Sequence, residues 1–321
     1  MYKKTLKKLK VFNLFLKFRM LINLLIYIFL LLSNFDLISQ SSYRWKRMRY
    51  ELIGGLGFTN CLTDIGGADQ IGTNFVKDLE LSMTKMCLNF GLRYRLSYSI
   101  YTKLTFAYGV ISGDDKLTKE PSRNYRNISF KTDIFELANT YEFSIVTEKE
   151  GARYNLRRVR GMMSLKLNIY FFFGGGVFFY NPKGYYNGKW YALQPLGTEG
   201  QGILESRKKY SRIGFCIPWG VGLNYLVGKR TSLGFELGVR KTFTDYLDDT
   251  STNYVDKELI RQNNGDIAAY FADPSSGEKP NWTAPNCQRG DPKDKDVYIF
   301  LFINLTYKLK TTRSGLPKFF R

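Results

Sequence analysis

Eight stretches of the sequence alternate between apolar and polar residues with a period of two, and this pattern restricts the fold more than any other feature. In the clearest stretch, from Lys85 to Leu96, six apolar or aromatic side chains alternate with Lys, Cys, Asn, Gly and Arg. Successive side chains of a β-strand point to opposite faces, so each stretch is predicted to be a strand between two different surroundings. The predicted strands cover about residues 49–58, 85–96, 100–110, 135–145, 163–173, 212–225, 232–240 and 297–309.

The lengths of the strands and of their connections favour a membrane barrel over a soluble sandwich. Each apolar face continues for about ten residues, the length of a tilted strand that crosses a bilayer. Short turns alternate with long connections over about residues 59–84, 112–130, 180–210 and 244–296, although the fourth connection (147–161) is longer than this pattern requires. Such alternation and an even strand count are typical of outer-membrane barrels. We therefore expect an all-β, membrane-embedded antiparallel eight-stranded β-barrel with four long extracellular loops, located in the outer membrane.

The second face of the predicted strands carries both signs of charge. An eight-stranded barrel leaves an interior only wide enough for side chains. Opposite charges in so narrow a lumen are expected to pair, and we predict no solute-sized pore. Cys87 and Cys216 share the inward phase and are expected to be free, buried thiols. The charged residues expected to point inward are Glu51, Lys85, Arg93, Arg95, Lys103, Glu136, Glu142, Lys166, Glu236, Arg240 and Lys308.

The first forty residues have the composition of a secretion signal. A basic segment precedes 13 uncharged residues, MLINLLIYIFLLL at positions 20–32, and the small residue Ser39 stands before Gln40. A membrane-spanning helix needs about 20 apolar residues, so this core is short for a span. We expect a cleaved signal peptide over residues 1–39 and the outer-membrane barrel over residues 40–321. A retained anchor is the alternative interpretation.

The composition argues against several functional classes. The 48 Lys and Arg residues outnumber the 28 Asp and Glu, but they are scattered along the chain, and nucleic acid is not an expected partner. Basic side chains are instead expected to face outer-membrane lipid or the barrel interior. The sequence contains no histidine, which is the commonest general base and the commonest metal ligand. We expect no enzymatic activity, no cofactor and no metal.

Two short strings have both a functional and a structural interpretation. Asp245, Asp248 and Asp249 offer oxygen ligands of the kind that calcium prefers, but without the EF-hand spacing. A turn capped by Asp and Thr side chains is therefore the favoured interpretation. The triplet Gly174-Gly175-Gly176 lacks the following Lys-Ser/Thr and helix of a phosphate-binding loop. A kink at the end of a strand is favoured there.

The connections between the predicted strands carry a family resemblance. The motifs are ELIGGLGFTN (51–60), RNYRNISF (123–130), PLGTEGQG (195–202) and TFTDYLDDTST (242–252). Over about residues 48–310 the chain resembles the PorG-like outer-membrane barrels of the type IX secretion and gliding-motility machinery of Bacteroidota. This resemblance implies an outer-membrane component that contacts the periplasmic ring proteins PorK and PorN. The alternative is a general small outer-membrane barrel, either a narrow channel or a surface-binding protein.

Two sets of residues are candidates for specific contacts. Arginine and tyrosine are enriched where interfaces carry energy, so the long fourth connection is a candidate contact for the periplasmic ring. The alternative is a basic hairpin that is solvated or attracted to anionic lipid of the inner leaflet. The candidate residues of this connection are Arg153, Tyr154, Arg157, Arg158 and Arg160. Cys61 and Cys287 lie in the first and last long loops, which a closed barrel makes neighbours. A disulfide between them is a candidate in an oxidising compartment.

Overall fold

The computed structural model describes residues 48–65, 81–148, 165–312 and 316–317 of the 321-residue chain. The strands are β1 (Tyr50–Leu62), β2 (Lys85–Arg95), β3 (Ile100–Asp114), β4 (Ser129–Val146), β5 (Leu167–Tyr186), β6 (Lys189–Ala192), β7 (Ile213–Leu226), β8 (Thr231–Thr242) and β9 (Val297–Lys308). The α-helices are α1 (Pro121–Arg126) and α2 (Lys257–Ala272). Short 3-10 helices cover Leu81–Met83, Asp115–Leu117, Gln194–Leu196 and Pro280–Trp282.

Eight of these strands close into a barrel. Each pairs antiparallel with its neighbours in the order β1-β2-β3-β4-β5-β7-β8-β9, and β9 returns to pair with β1. In this register Gly57 of β1 lies opposite Cys87 of β2 and Phe302 of β9. The short strand β6 forms a hairpin with the far end of β5. The predicted eight-stranded antiparallel barrel is therefore confirmed.

The outer surface of the barrel is an apolar belt. On β2, Met86, Leu88 and Phe90 are 44–68% exposed, whereas the intervening Cys87 is 3% exposed. The other strands of the barrel show large exposed apolar side chains in the same alternation. So much contiguous apolar surface is stable only when lipid covers it, and a closed sheet leaves no unpaired backbone edge in that lipid. The chain is a small outer-membrane barrel protein.

Strands β4 and β5 extend further than the sequence pattern predicts, toward the end where the long connections leave the barrel. Gly174, Gly175 and Gly176 consequently lie within β5, and the predicted kink at a strand end is wrong. A Cβ at Gly174 would stand 2.1 Å from the carbonyl oxygen of Asn139 on β4. Glycine is needed there because the neighbouring backbone lies so close, not because the strand ends.

The connections leave the barrel at alternating ends. Residues 96–99 and 227–230 form short turns between β2 and β3 and between β7 and β8. The connections after β1, β3, β5 and β8 are longer and leave at the opposite end, which for barrels of this kind is the extracellular end. The predicted signal peptide (1–39) lies outside the described residues. Within the described ranges, no helix has the length and hydropathy that a membrane-spanning helix requires.

Candidate functional site

Buried ion pairs run across the lumen and are here called the lumen network. Arg93 on β2 lies 2.9 Å from the carboxylate of Glu51 on β1 and 2.6 Å from that of Glu142 on β4. Lys103 on β3 extends the chain to Glu142 at 3.1 Å and to Glu236 on β8 at 2.5 Å. These five side chains are at most 4% exposed. Cations and carboxylates alternate, so each buried charge has a partner of opposite sign, as burial requires.

A second buried pair lies nearer the extracellular end. Nε of Arg240 is 3.2 Å from Glu136, and the hydroxyl of Tyr298 donates to the same carboxylate at 2.7 Å. The guanidinium of Arg240 lies over the ring of Phe300, 4.6 Å from its centroid. The inward aromatic side chains Phe172, Phe178 and Phe302 are no more than 2% exposed. Between the described strands the lumen is therefore filled with side chains.

The predicted inward charges are correct except at two strand ends. Nine of the eleven residues are buried, but Lys85 and Lys166 are exposed. Lys85 begins β2 and Lys166 precedes β5, positions from which a long side chain reaches water. Cys87 and Cys216 are free thiols with 3% and 2% exposure, as predicted.

The described residues of the long connections form a second buried polar region, here called the loop cap. Two of its strings are motifs that carry the family resemblance, PLGTEGQG and TFTDYLDDTST, and they bond to each other. Thr198 donates to the carboxylate of Asp249 at 2.5 Å. Glu199 accepts hydrogen bonds from the backbone amides of Ser251 (2.9 Å) and Thr252 (3.1 Å) and from the Thr252 hydroxyl (2.7 Å). In this chain the two motifs build one structural unit.

Two buried arginines tie this unit to the other loops. Arg289 pairs with Glu199 at 2.9 Å. Arg126 at the end of α1 makes two hydrogen bonds to the carboxylate of Asp115, at 2.8 and 2.9 Å. The same guanidinium donates to the carbonyl oxygens of Asp64 (2.8 Å) and Arg289 (2.5 Å). The guanidinium of Arg126 thereby joins the connections that follow β1, β3 and β8. Arginine suits this position because its planar group holds several N–H donors in a fixed geometry.

Four aspartates of the cap, Asp64, Asp245, Asp248 and Asp296, form an acidic cluster. Burial raises the pKa of Asp64 to about 7, with repulsion from Asp245 and Asp291 adding to the effect. Burial is also the main cause that raises the pKa of Asp245 to about 6. The pKa values of Asp248 and Asp296 lie well above the usual range, first through burial and then through repulsion within the cluster. Ionisation of these aspartates is therefore less favourable in free energy than ionisation of an ordinary aspartate.

The aspartates of the string Asp245–Asp249 act as hydrogen-bond acceptors in a tight turn. Asp248 accepts from the Thr250 amide at 2.9 Å, and Asp245 accepts from the Ser251 hydroxyl at 2.6 Å. Asp249 itself has a positive φ of 65°. This is the predicted turn capped by Asp and Thr side chains. In the part of the chain that the structure describes, no group of three or more His, Cys, Asp or Glu side chains is arranged to hold a metal ion.

The candidate disulfide between Cys61 and Cys287 is not formed in the structure, where both are free thiols. The thiol of Cys61 lies 3.7 Å from the carbonyl oxygen of Ser112 on β3. The thiol of Cys287 lies 3.3 Å from the carbonyl oxygen of Asn281 within its own loop. Cys61 lies within β1, opposite Tyr298 of β9, and not in the loop where the sequence placed it. Neighbouring connections therefore do not require neighbouring thiols.

No feature of the sequence predicted that Glu199, Arg289, Arg126 and Asp115 form a unit. Their charges are separated by up to 174 positions in the chain, and no periodic pattern joins them. The available signal was the occurrence of Glu199 and Asp249 inside the two resemblance motifs. The candidate ring contact of the fourth connection lies outside the described residues.

Comparison with solved structures finds small outer-membrane proteins. Neisserial surface protein A is similar at 6% identity, covering 81% of this chain and 96% of that one, with a TM-score of 0.36. Ail, the attachment invasion locus protein of Yersinia pestis, matches at 8% identity, covering 82% and 99%, with a TM-score of 0.35. OprG of Pseudomonas aeruginosa matches at 8% identity, covering 83% and 98%, with a TM-score of 0.31. No protein-family model matches the sequence, and no curated protein matches it.

Proposed function

We propose that this barrel is a non-enzymatic scaffold that acts through its two ends rather than a pore that conducts solutes. The filled lumen is the observation that carries this proposal. Arg93 and Lys103 each pair with two glutamates inside the wall, and aromatic side chains pack around them. Opening a water-filled path through the lumen would separate buried opposite charges. Each pair that is broken would cost about 3–5 kcal/mol of free energy. A function at the barrel ends avoids that cost.

The finer proposal is a role in type IX protein secretion, in contact with the periplasmic ring formed by PorK-like and PorN-like proteins. Its support is the resemblance to PorG-like barrels, whose motifs meet in this chain at Thr198–Asp249 and at Glu199. The loop cap belongs to the extracellular end, so a periplasmic partner would use the opposite end. The candidate surface there is the fourth connection, with Arg153, Tyr154, Arg157, Arg158 and Arg160.

Co-purification from solubilised outer membranes tests this role. We expect a tagged barrel to retain the ring proteins, and replacement of Arg153, Arg157, Arg158 and Arg160 by Ser to release them without preventing barrel assembly. The control replaces Lys229 and Arg230, two basic residues of the short β7–β8 turn at the same end, by Ser. If the four-arginine variant keeps the ring as well as this control does at moderate salt, the fourth connection is not the contact. If the unmodified barrel retains no ring protein, the secretion role itself is wrong.

The second candidate is a general small outer-membrane barrel, either a narrow channel or a surface-binding protein. The filled lumen favours surface binding. Planar-bilayer recordings of pure protein distinguish the two, since a scaffold is expected to give no large, steady conductance. Stable conductance that persists at both voltage polarities would support the channel.

A further inference from the structure

The outward face of β4 and β5 changes from apolar to basic at one level. Phe135 and Phe179 face each other across the two strands, with ring centroids 6.4 Å apart. Two residues further toward the extracellular end the register pairs Asp133 with Asn181, and two residues beyond that it pairs Lys131 with Lys183. In outer-membrane barrels, girdles of aromatic side chains flank the apolar band at both membrane interfaces. The change from Phe to Lys therefore marks the outer boundary of the membrane on this side.

Three cations lie at or just above this boundary. The guanidinium of Arg212, directly before β7, lies over the Phe179 ring at 5.7 Å and 3.5 Å from the Asn181 side-chain oxygen. Nζ of Lys131 lies 5.5 Å from the centroid of the Trp190 ring. The third cation is Lys183, which pairs with Asp133 at 2.7 Å and is 33% exposed. One carboxylate among three cations leaves a net positive surface.

Two aromatic side chains stand beside these cations and are open to the surroundings. Tyr185 and Trp190 are 52% and 50% exposed, and their rings contact each other at 5.2 Å. The hydroxyl of Tyr108 donates to Asp133 at 3.1 Å, so this carboxylate is already held by two groups. The surface formed by Lys131, Lys183, Arg212, Tyr185 and Trp190 is here called the boundary patch.

We propose that the boundary patch binds the phosphate-bearing headgroups of the lipid in the outer leaflet. The height of the patch fits this occupant. Lys183 is four residues beyond Phe179 on β5, about 13 Å along the strand at ~3.3 Å per residue. With a strand tilt of about 40° this is roughly 10 Å along the membrane normal, the level of the headgroups.

The chemistry of the patch also fits a phosphorylated lipid. Lysine and arginine bind phosphate through charge-assisted hydrogen bonds, and basic residues next to a membrane attract anionic lipids. The acyl chains of the same lipid would lie against Phe135 and Phe179 directly below, so one molecule satisfies both halves of the surface. A soluble anion would contact only the cations and would gain no binding free energy from the apolar surface below them.

The test measures which lipids stay bound to purified barrels reconstituted in nanodiscs that contain phosphatidylcholine and diphosphorylated lipid A. We expect the double variant Lys131→Gln/Arg212→Gln to retain about tenfold less lipid A than the unchanged protein at low salt, since each basic residue at a membrane surface contributes roughly fivefold or less. The Lys183–Asp133 pair remains intact in this variant. The variant Asp133→Asn removes the carboxylate that pairs with Lys183 beside the patch and is expected to increase lipid A retention.

The matched control is Lys208→Gln/Lys293→Gln, which removes the same charge from exposed positions of the extracellular loops. It is expected to leave lipid A retention unchanged, and heat-modifiable migration on gels verifies that every variant is folded. The proposal is overturned if the double variant and the control retain equal lipid A. It is also overturned if dephosphorylated lipid A is retained as well as the diphosphorylated form, or if inorganic phosphate at the lipid concentration displaces it.

Discussion

The lumen network and the acidic cluster of the loop cap both bury charge, but they differ in how that charge is compensated. In the lumen, Arg93 and Lys103 alternate with Glu51, Glu142 and Glu236, so each charge faces an opposite one within 3.1 Å. In the cap, four aspartates gather, and Arg126 is a cation that lowers the pKa of both Asp64 and Asp248.

This difference assigns different physical roles to the two regions. A compensated network adds little net stability over an apolar filling, but losing one member leaves an unpaired buried charge, and so the network fixes a single arrangement of the wall. An acidic cluster with raised pKa values responds to pH because protonation relieves the repulsion. The stability of the barrel wall, which holds the lumen network, should therefore be sensitive to mutation and insensitive to mild changes of pH. The stability of the loop cap should respond to both.

The largest effect is expected from breaking the lumen network. Replacing Arg93 by Met leaves Glu51 without its cation and deprives Glu142 of its 2.6 Å contact. The expected loss is about 3–5 kcal/mol in the free energy of unfolding. Denaturant unfolding of the reconstituted barrel, followed by gel mobility, measures it.

Lys166→Met is the matched control for Arg93→Met. Lys166 has the alternation phase of an inward residue but is exposed before β5, so its replacement is expected to change stability by less than about 0.5 kcal/mol. The further change Glu51→Gln should restore part of the stability that Arg93→Met removes. Equal unfolding midpoints for Arg93→Met and Lys166→Met would show that the lumen pairs do not hold the wall together.

A smaller and local effect is expected in the cap. Replacing Glu199 by Ala removes the acceptor of the Ser251 and Thr252 amides and leaves Arg289 without its carboxylate. Hydrogen bonds to charged groups contribute about 1.5–3 kcal/mol, so the cap should open while the barrel stays closed. Limited proteolysis should then cut within residues 244–296 at least tenfold faster, with unchanged heat-modifiable migration.

Glu258→Ala is the control for this comparison. Glu258 is a 61% exposed residue of α2 that pairs with Arg261 at the surface, where an ion pair contributes little. The variant Glu258→Ala should leave the proteolysis rate of the cap unchanged. If Glu199→Ala is cut no faster than Glu258→Ala, the bonds between the two motifs do not hold the cap.

The contrast between wall and cap also explains what could be read from the sequence. Alternation identified the phase of Glu51, Arg93 and Glu236 because a strand has a fixed period and a barrel has only two faces. At the ends of the strands the predicted inward orientation was wrong. Lys85 and Lys166 have the inward phase, but Lys85 is the first residue of β2 and Lys166 lies just before β5, and a long side chain at such a position reaches water.

No comparable rule exists for the cap. The bond between Thr198 and Asp249 and the pair of Glu199 with Arg289 connect separate loops, and loop conformation has no period that a sequence can display. The local turn at Asp248 was predictable because Asp and Thr bond to backbone amides two residues away. The candidate disulfide could not be decided from the sequence, because adjacency was known only for whole loops, whereas a disulfide requires two sulfur atoms about 2 Å apart; in the structure both cysteines are free thiols.

The smallest expected effect is the pH response of the acidic cluster. Burial and the neighbouring Asp245 and Asp291 raise the pKa of Asp64 from an ordinary 3.8 to about 7, and that of Asp245 rises to about 6. A carboxyl group whose pKa is higher in the folded state stabilises the fold fully below its unfolded pKa, and this stabilisation is lost as pH rises through the folded pKa. The cap should therefore be tightest near pH 4 and loosen progressively up to about pH 7, whereas the wall should not change over this range.

Hydrogen–deuterium exchange of residues 244–256 at pH 5.5 and pH 8, corrected for intrinsic rates, measures the difference. Asp64→Asn retains an oxygen that can accept from the Asp291 amide but carries no charge, so it should reduce the pH response. Asp266→Asn, at a side chain that is 91% exposed, should leave the response as it is. A cap whose protection is equal at both pH values, or a response that Asp64→Asn does not reduce, would mean that the clustered aspartates carry no net repulsion and that cap and wall bury charge in the same way.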